Sequence, residues 1–163
     1  MYSSGPEFVL IFQMRVLILA CSARKRSATG LVPAIERYDG PSFQVLRKFL
    51  RTSTEEIGVW VLSAEFGLIP SDEPIPWYDR RMTIPRARQL RDPTIKRLQE
   101  LTKEIEPSEL YIVAGKAYVE AIKGFQAGIP RSCKVGIAAG GLGRKLSQLH
   151  AWLYARSLLR GPR

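Results

Sequence analysis

Apolar runs alternate with amphipathic segments along the chain, and small, polar or basic residues follow each run. The apolar runs are 16–20, 59–70, 110–114 and 134–139. Strands that are apolar on both faces are typical of parallel sheets covered by helices on each side. The run 59–70 is predicted to be a buried strand that brings a Ser-Ala-Glu-Phe-Gly loop, residues 63–67, to one edge of such a sheet.

Between these runs, apolar residues recur at helical spacing. We expect one helix capped by Ser42 that runs to Leu50, and another with Asp92 as N-cap and Pro93 at its first position. Two more are predicted at 116–125 and after residue 143, where Leu142, Leu146, Leu149, Trp152 and Leu153 would form the apolar face. The alternation predicts an α/β fold in three layers, with a mainly parallel sheet flanked by helices.

The chain has the size of one domain. Its 163 residues, 45% of them hydrophobic, are enough to fill one core. We expect a single α/β domain over residues 14–163 that is monomeric. Residues 1–13 are predicted to be an N-terminal extension, which is either an extra edge strand or a segment outside the fold.

Positive charge dominates the composition. Lys and Arg number 25 against 15 Asp and Glu, which gives a formal net charge of +10. The excess lies mainly in residues 79–97 and from residue 110 onward. Basic blocks of this kind favour the phosphate backbone of a nucleic acid, and a basic but inert surface is the alternative.

Other classes of function have little support in the sequence. Cys21, Cys133 and the single histidine, His150, lack metal-ligand spacing, so we expect no metal and no cofactor. The apolar runs are too short to cross a membrane, and the N-terminus does not resemble a signal peptide. The sequence therefore predicts a cytoplasmic protein with reduced thiols and no membrane partner.

The first predicted strand leads into a polar loop with Cys21, Ser22, Arg24 and Lys25. Ligands of open α/β sheets bind beyond the carboxyl ends of strands, so this loop is a candidate site. Lys25 lies between two arginines, a setting that can make a lysine nucleophilic. Alternatively, Cys21 is a small core residue and Lys25 an exposed phosphate contact.

The loop after the second predicted strand has a different chemistry. Its residues could form a nucleobase pocket. The hydroxyl of Ser63 would orient the base, the carboxylate of Glu65 would accept hydrogen bonds from its edge, and the ring of Phe66 would stack on it. Tyr78 and Asp79 belong to a long proline-bearing loop, 72–82, of a length that is usually functional or disordered. The alternative is that Phe66 is part of the core and Glu65 pairs with an arginine.

A third candidate lies before the last helix, where Gly141 and Gly143 precede Arg144 and Lys145. Glycines, helix-start amides and two cations can hold a phosphate. The segment lacks the Gly-Lys-Ser/Thr ending of a Walker loop. Glycines that only permit a tight turn are the alternative.

Together these motifs resemble the YaaA-like families, the peroxide-stress group and its uncharacterised relatives, over residues 14–152. The matching motifs are Cys-Ser-x-x-Lys (21–25), Leu-Ser-Ala-x-x-Gly-Leu (62–68), Pro-x-x-Tyr-Asp (75–79, where Ile75 takes the place of the proline and Pro74 and Pro76 flank it), Ala-Gly-Lys-x-Tyr (114–118) and Gly-Leu-Gly-x-x-Leu (141–146). The resemblance implies a core similar to uracil-DNA glycosylase, association with DNA and a role in limiting oxidative damage. A Cys-x-x-x-Lys spacing also resembles the loop of archaeosine synthase, in which the lysine attacks a modified base, although Ala20, Arg26 and Ser27 depart from that motif.

These observations predict a protein that binds nucleic acid, DNA rather than RNA, with a nucleobase or nucleotide pocket and a role in DNA damage, oxidative stress or base modification. If the protein is an enzyme, it is expected to act on a base, as a glycosylase or transglycosylase does. The catalytic candidates are then Lys25, Glu65 and Asp79, and the binding candidates are Cys21, Ser22, Arg24, Ser63, Phe66, Tyr78, Lys116, Tyr118, Gly141, Gly143, Arg144 and Lys145. The alternatives are a non-catalytic DNA-binding stress protein and an enzyme acting on a small anionic nucleotide.

Overall fold

The structure is a computed structural model, and it describes residues 13–157. In chain order the elements are β1 (Arg15–Ala20), β2 (Val32–Pro33), α1 (Ala34–Arg37), α2 (Pro41–Thr52), β3 (Ile57–Ser63), β4 (Gly67–Pro70), β5 (Pro74–Ile75), α3 (Ile84–Ile105), β6 (Glu109–Val113), α4 (Lys116–Glu120), a 3-10 helix (Phe125–Gly128), β7 (Lys134–Ile137) and α5 (Leu142–Tyr154).

Five strands form one sheet in the order β4-β3-β1-β6-β7. The strands β3, β1, β6 and β7 are parallel, and only β4 at the edge is antiparallel, paired to β3. The strands β2 and β5 pair in a separate two-stranded antiparallel sheet. The predicted mainly parallel sheet is confirmed.

Helices cover both faces of the five-stranded sheet. Successive side chains of a strand point to opposite faces, and in β1 both sets are buried. Leu17 and Leu19 pack in one cluster with residues of α2 and α5, whereas Val16 and Ile18 pack in a second cluster with residues of α3. The predicted three-layer architecture is therefore confirmed.

Two helix starts differ from the sequence predictions. Gly40, not Ser42, is the N-cap of α2, and Pro41 occupies the first turn. Thr83, not Asp92, is the N-cap of α3, where its hydroxyl accepts from the Arg86 amide. Pro93 lies inside that helix. An Asp-Pro pair gives the same local signal whether the proline lies in the first turn of a helix or in its interior. Only the apolar periodicity before residue 92 could have shown that the helix begins earlier.

The buried strand predicted from the run 59–70 is β3, which ends at Ser63 and leads into the predicted loop. The chain then reverses through Gly67, whose φ of 73° is left-handed, into β4, a second strand that was not predicted. Two other predictions were wrong. The helix α4 ends at Glu120, and a turn and the 3-10 helix replace its predicted second half. Leu142 is 61% exposed and does not belong to the apolar face of α5.

The amino edge of the sheet is closed by a buried arginine. Arg15 of β1 is 1% exposed and makes two parallel hydrogen bonds to Glu55, at 2.7 and 2.8 Å. The same guanidinium donates to the carbonyls of Trp152 and Leu153 at the end of α5. This network fixes α5 against the start of β1.

Residues 1–12, nearly all of the predicted N-terminal extension, lie outside the described residues. Gln13 is exposed, and its carbonyl accepts from Arg156. Among residues 13–157, none of the helices is long and apolar enough to cross a membrane.

Candidate functional site

The carboxyl ends of the four parallel strands meet at one edge of the sheet, here called the carboxyl edge. The loops that begin at Cys21, Ala64, Ala114 and Ala138 all leave the sheet there. The chain passes from β1 to β3 on one side and then to β6 on the other, so the order of strands switches between β1 and β6. Ligands of open α/β sheets bind at such a switch.

Three hydroxyl groups form a cluster beside the end of β3. Tyr38 Oη donates to Ser63 Oγ at 3.3 Å, and the Tyr78 hydroxyl lies 2.9 Å from Ser63 Oγ and also hydrogen-bonds Tyr38. Tyr38 and Ser63 are fully buried. Ser63 Oγ also accepts from the amides of Glu65 and Phe66. Because all of these groups have internal partners, the hydroxyl cluster of Tyr38, Ser63 and Tyr78 is closed rather than aimed at a ligand.

Cys21 and Tyr118 meet across the switch between β1 and β6. Cys21 Sγ lies 3.0 Å from Tyr118 Oη, and Cys21 is 9% exposed. Cys21 follows β1 and Tyr118 belongs to α4, and the two residues are 97 positions apart in sequence. The structure therefore brings together two of the predicted binding residues, although the thiol is mostly covered.

Burial makes the tyrosines of this region hard to ionise. Desolvation raises the pKa of Tyr38 to about 12, and the nearby Cys21 adds to the effect. Desolvation followed by the charge of Cys21 also raises the pKa of Tyr78 and of Tyr118. These phenols are accordingly neutral hydrogen-bonding groups at physiological pH.

Lys25 lies at the mouth of the hydroxyl cluster. Its Nζ is 4.6 Å from the centre of the Tyr78 ring and 6.0 Å from that of Tyr38, distances at which a cation is attracted to an aromatic face. The backbone of Lys25 forms a bridge with Tyr38. The lysine is therefore held in place beside the cluster by its own backbone.

The arginines beside Lys25 have an acidic partner. Asp39 lies 3.5 Å from Arg24 and 3.7 Å from Arg26, and it also binds Arg47. Since Asp39 offsets their charge, the prediction that they activate Lys25 as a nucleophile loses its electrostatic basis. Arg24 itself is largely exposed.

Two residues support the loop that carries Lys25. Arg37 is fully buried and donates to the carbonyls of Arg26, Ala28 and Gly30 at 2.7 Å each. Ser22 Oγ donates to the Arg24 carbonyl and accepts from the Gly40 amide. Ser22 was predicted to bind a ligand, and the structure uses its hydroxyl to shape the loop.

The turn after β3 is held by arginines. Arg86 of α3 donates to the carbonyls of Ala64 and Glu65 at 2.9 Å, and Arg80 pairs with the Glu65 carboxylate at 3.3 Å. The alternative in which Glu65 pairs with an arginine is therefore the one observed. Asp79 is exposed and makes no hydrogen bond or ion pair with any other described residue.

The aromatic residues of this region do not all point inward. Phe66 is 40% exposed, and its ring contacts the Tyr78 ring edge-on at 5.4 Å. Trp77 is 57% exposed, although its neighbour Tyr78 is half-buried. Phe66 is thus not part of the core, and Trp77 is a surface aromatic that the sequence reasoning did not select.

The loop before α5 is a tight turn with exposed cations. Gly140 has a φ of 93°, and Gly141, Gly143 and Arg144 are exposed. Lys145 Nζ donates to the Ala114 carbonyl at 3.0 Å and so ties this loop to the end of β6. Lys116, which begins α4, is exposed at the same edge.

The basic block on α3 has mainly structural contacts. Arg91 pairs with Glu120 at 2.7 Å, and Arg97 covers the Trp60 ring and pairs with Glu100. Arg86 holds the turn after β3, as described above. The phosphate contacts predicted from this block are thus reduced to residues such as Arg81 and Arg88, which are exposed.

Sequence reasoning missed Tyr38 and Arg37 as site residues, because both lie in the segment 33–41, whose composition indicated a loop with at most a helical turn, the turn that is α1 in the structure. A shallow groove of about 290 Å³ between α4 and the end of β7 is lined by none of the predicted site residues. The described residues contain no group of three His, Cys, Asp or Glu side chains placed to hold a metal.

Comparison with known proteins gives a family but not an activity. No curated protein matches the chain. The crystal structure of AF0587, a protein of unknown function, is similar at 13% sequence identity and a TM-score of 0.47. That match covers 93% of this chain and 47% of AF0587, so the chain spans about half of its length. Residues 16–151 match a family of unknown function, DUF6884, over most of the chain, and the protein therefore belongs to that family.

Proposed function

We propose that the protein binds nucleic acid along the carboxyl edge of its sheet. The supporting observation is the set of cations there that have no carboxylate partner among the described residues: Lys25, Arg81, Lys116 and Arg144. They come from four separate segments, yet the parallel strand order and the contact of Tyr78 with Ser63 bring those segments to one edge. A row of unpaired cations on one face is the electrostatic feature of phosphate-backbone binding.

Other cations of the chain are less suited to this role. Arg15, Arg37, Arg86 and Arg91 are committed to carbonyl or carboxylate partners. Lys145 is also bound to a carbonyl, although it lies at the carboxyl edge. Phosphate binding therefore depends on a small set of residues that can be replaced without disturbing the core.

A charge-matched pair of variants tests the proposal. Lys116→Ala with Arg144→Ala removes two cations from the carboxyl edge, whereas Arg131→Ala with Lys134→Ala removes two exposed cations next to the amino end of β7. Fluorescence anisotropy with labelled DNA and RNA oligonucleotides should show weaker binding for the first variant. The slope of log K against log salt should fall by about two. Equal losses for the two variants would show that only the net charge of the protein matters.

A base-directed enzyme is the second candidate, and the contact of Cys21, which is in the same loop as the half-buried Lys25, with Tyr118 at the strand switch favours it. Lys25→Ala would then abolish turnover of an oligonucleotide, detected as abasic sites or an altered base. If the wild-type protein forms no product and Lys25→Ala only weakens binding, a purely binding role is favoured. Glu65→Gln serves as a comparison, since that carboxylate is already paired with Arg80.

The biological setting is proposed from the resemblance of the motifs and from the two cysteines. Membership in the YaaA-like group, a core similar to uracil-DNA glycosylase and a role in DNA damage or oxidative stress rest on the resemblance of the motifs. A cytoplasmic location is supported by the two cysteines, both of which are free and buried. DNA is preferred over RNA on the same resemblance.

A further inference from the structure

Three of the exposed apolar residues near the carboxyl edge lie in or close to the long loop, residues 72–82. Trp77 and Phe66 are 57% and 40% exposed, and both adjoin Tyr78, one as its chain neighbour and the other by ring contact. Leu31 is 66% exposed and precedes Val32, which pairs with Ile75, so it lies beside the residues that lead into Trp77. Tyr78 thus joins Phe66 to the loop that carries Trp77, and the pairing of β2 with β5 brings Leu31 close to the same loop.

Cations adjoin this apolar surface. Lys25 Nζ lies against the Tyr78 ring, whose edge contacts Phe66. Arg80 and Arg81 follow Asp79 in the loop, and of these two arginines only Arg80 has a carboxylate partner among residues 13–157. An aromatic surface next to unpaired cations is complementary to a base that is attached to a phosphate. An uncharged apolar partner would gain nothing from the cations.

The hydroxyl cluster limits where a base can bind. Tyr38, Ser63 and Tyr78 satisfy one another, and Ser63 is fully buried. A base is therefore not held inside that cluster in this conformation. The exposed faces of Trp77 and Phe66 are what remains for stacking.

From these contacts we infer that Trp77, Phe66 and Leu31 form a platform on which unpaired bases of a single-stranded nucleic acid stack. Bases in an intact duplex have their faces covered by their neighbours, so only an unpaired strand can use this surface. The inference deepens the proposed function and depends on it, since the phosphates of the same strand would lie on Lys25 and Arg81. It assigns Trp77 a role that the loop sequence alone did not reveal.

Trp77→Ala is the main test. Binding of a labelled single strand of about 10 nucleotides should weaken about ten-fold, whereas binding of the duplex of the same sequence should change little. Trp77→Phe should restore most of the affinity, because a ring remains. Leu50→Ala, which removes another exposed apolar side chain on α2, should have no effect.

The fluorescence of Trp77 gives an independent measurement, because stacked bases quench tryptophan. Addition of an unlabelled single strand should quench the emission of the wild-type protein and not that of Trp77→Ala, which retains Trp60 and Trp152. Equal weakening of single strand and duplex, or no quenching on binding, would overturn the platform and leave phosphate binding intact. Failure of the wild-type protein to bind any oligonucleotide at low salt would overturn the proposed function as well. That failure to bind any oligonucleotide is also the result expected if the exposed apolar residues bind a protein instead.

Discussion

At the scale of single residues, Tyr38 links stability to pH. Its folded-state pKa of about 12 lies above the ordinary value of 10.0, because burial disfavours the phenolate. The stability that this group contributes is therefore complete below pH 10.0 and is lost as the pH rises through about 12. Urea unfolding measured at increasing alkaline pH should show a steep decline in the free energy of unfolding.

Tyr38→Phe provides the comparison. It lacks the ionisable phenol, so its stability should be lower than wild type at neutral pH, through the lost hydrogen bond to Ser63, but should decline less steeply in alkali. Parallel curves for the two proteins would contradict the assignment. The appearance of tyrosinate absorbance together with unfolding, rather than before it, would be a further check.

At the scale of elements, Gly40 joins α2 to the loop of the candidate site. A Cβ built on Gly40 would lie 2.6 Å from Ser22 Cβ, so the helix start and the loop after β1 approach too closely for any side chain. Gly141 is also a helix N-cap with nearly the same backbone angles, and a Cβ there would meet nothing within 4 Å. The two glycines thus share a backbone conformation and differ in the space that is open to a side chain.

Alanine substitution of each glycine separates the effect of losing a glycine N-cap from the effect of a steric clash with Ser22. Both variants lose a glycine N-cap, but only Gly40→Ala forces Ser22 to move, so it should cost about 1–3 kcal/mol more in free energy of unfolding. Thermal or urea unfolding measures the difference. Similar stabilities would mean that the loop after β1 shifts easily, and the held position of Lys25 would then be doubtful.

Pro93 lies inside α3, where it weakens the hydrogen bonding of the helix. Proline has no amide hydrogen, so it cannot complete the helical hydrogen bond to the carbonyl four residues earlier. Pro93 is exposed, and its replacement by alanine should stabilise the protein by about 1–3 kcal/mol. Pro85→Ala is the matched control, because a proline in the first turn of the helix loses no such bond and its removal should not stabilise. A destabilised Pro93→Ala variant would show that the proline is needed for packing.

The elements that could be predicted from sequence are those whose signals are local. β1 is apolar on both faces, and its burial in the centre of the sheet follows from that pattern alone. The start of α3 was missed because Pro93 gives an equally good signal for a first turn. β4 was missed because the apolar run continues through the reversal at Gly67, with no polar break in its second half.

The candidate site was predictable only in its position. Parallel strands place Cys21, Ser63, Lys116 and Gly141 at one edge, and the sequence was sufficient for that. The hydroxyl cluster joins Tyr38 to Tyr78 across 40 residues, and no local pattern encodes such a contact. Nor does any local pattern show that Trp77 is exposed while its neighbour Tyr78 is half-buried, since both are aromatic.

At the scale of the whole molecule, the two edges of the sheet differ in how their charged groups are paired and buried. The amino edge carries the buried Arg15, with its bidentate contact to Glu55 and its guanidinium 4.2 Å from the centre of the Trp152 ring. The carboxyl edge carries the unpaired cations and exposed aromatics. Stability and binding should therefore respond to different substitutions.

Glu55→Ala and Lys25→Ala test this separation directly. Removing Glu55 leaves a buried guanidinium without its carboxylate and should cost about 3 kcal/mol or more, whereas Glu100→Ala in an exposed pair should cost less than about 1 kcal/mol. Below its unfolding temperature, Glu55→Ala should keep wild-type affinity for a single strand. Lys25→Ala should lose affinity yet unfold within about 1 kcal/mol of wild type, since among the described residues its ammonium contacts only the Tyr78 ring and, at a longer distance, the Tyr38 ring. If Glu55→Ala, while still folded, also lost affinity, the two edges would be coupled through β1 and the carboxyl edge would not be an independent binding surface.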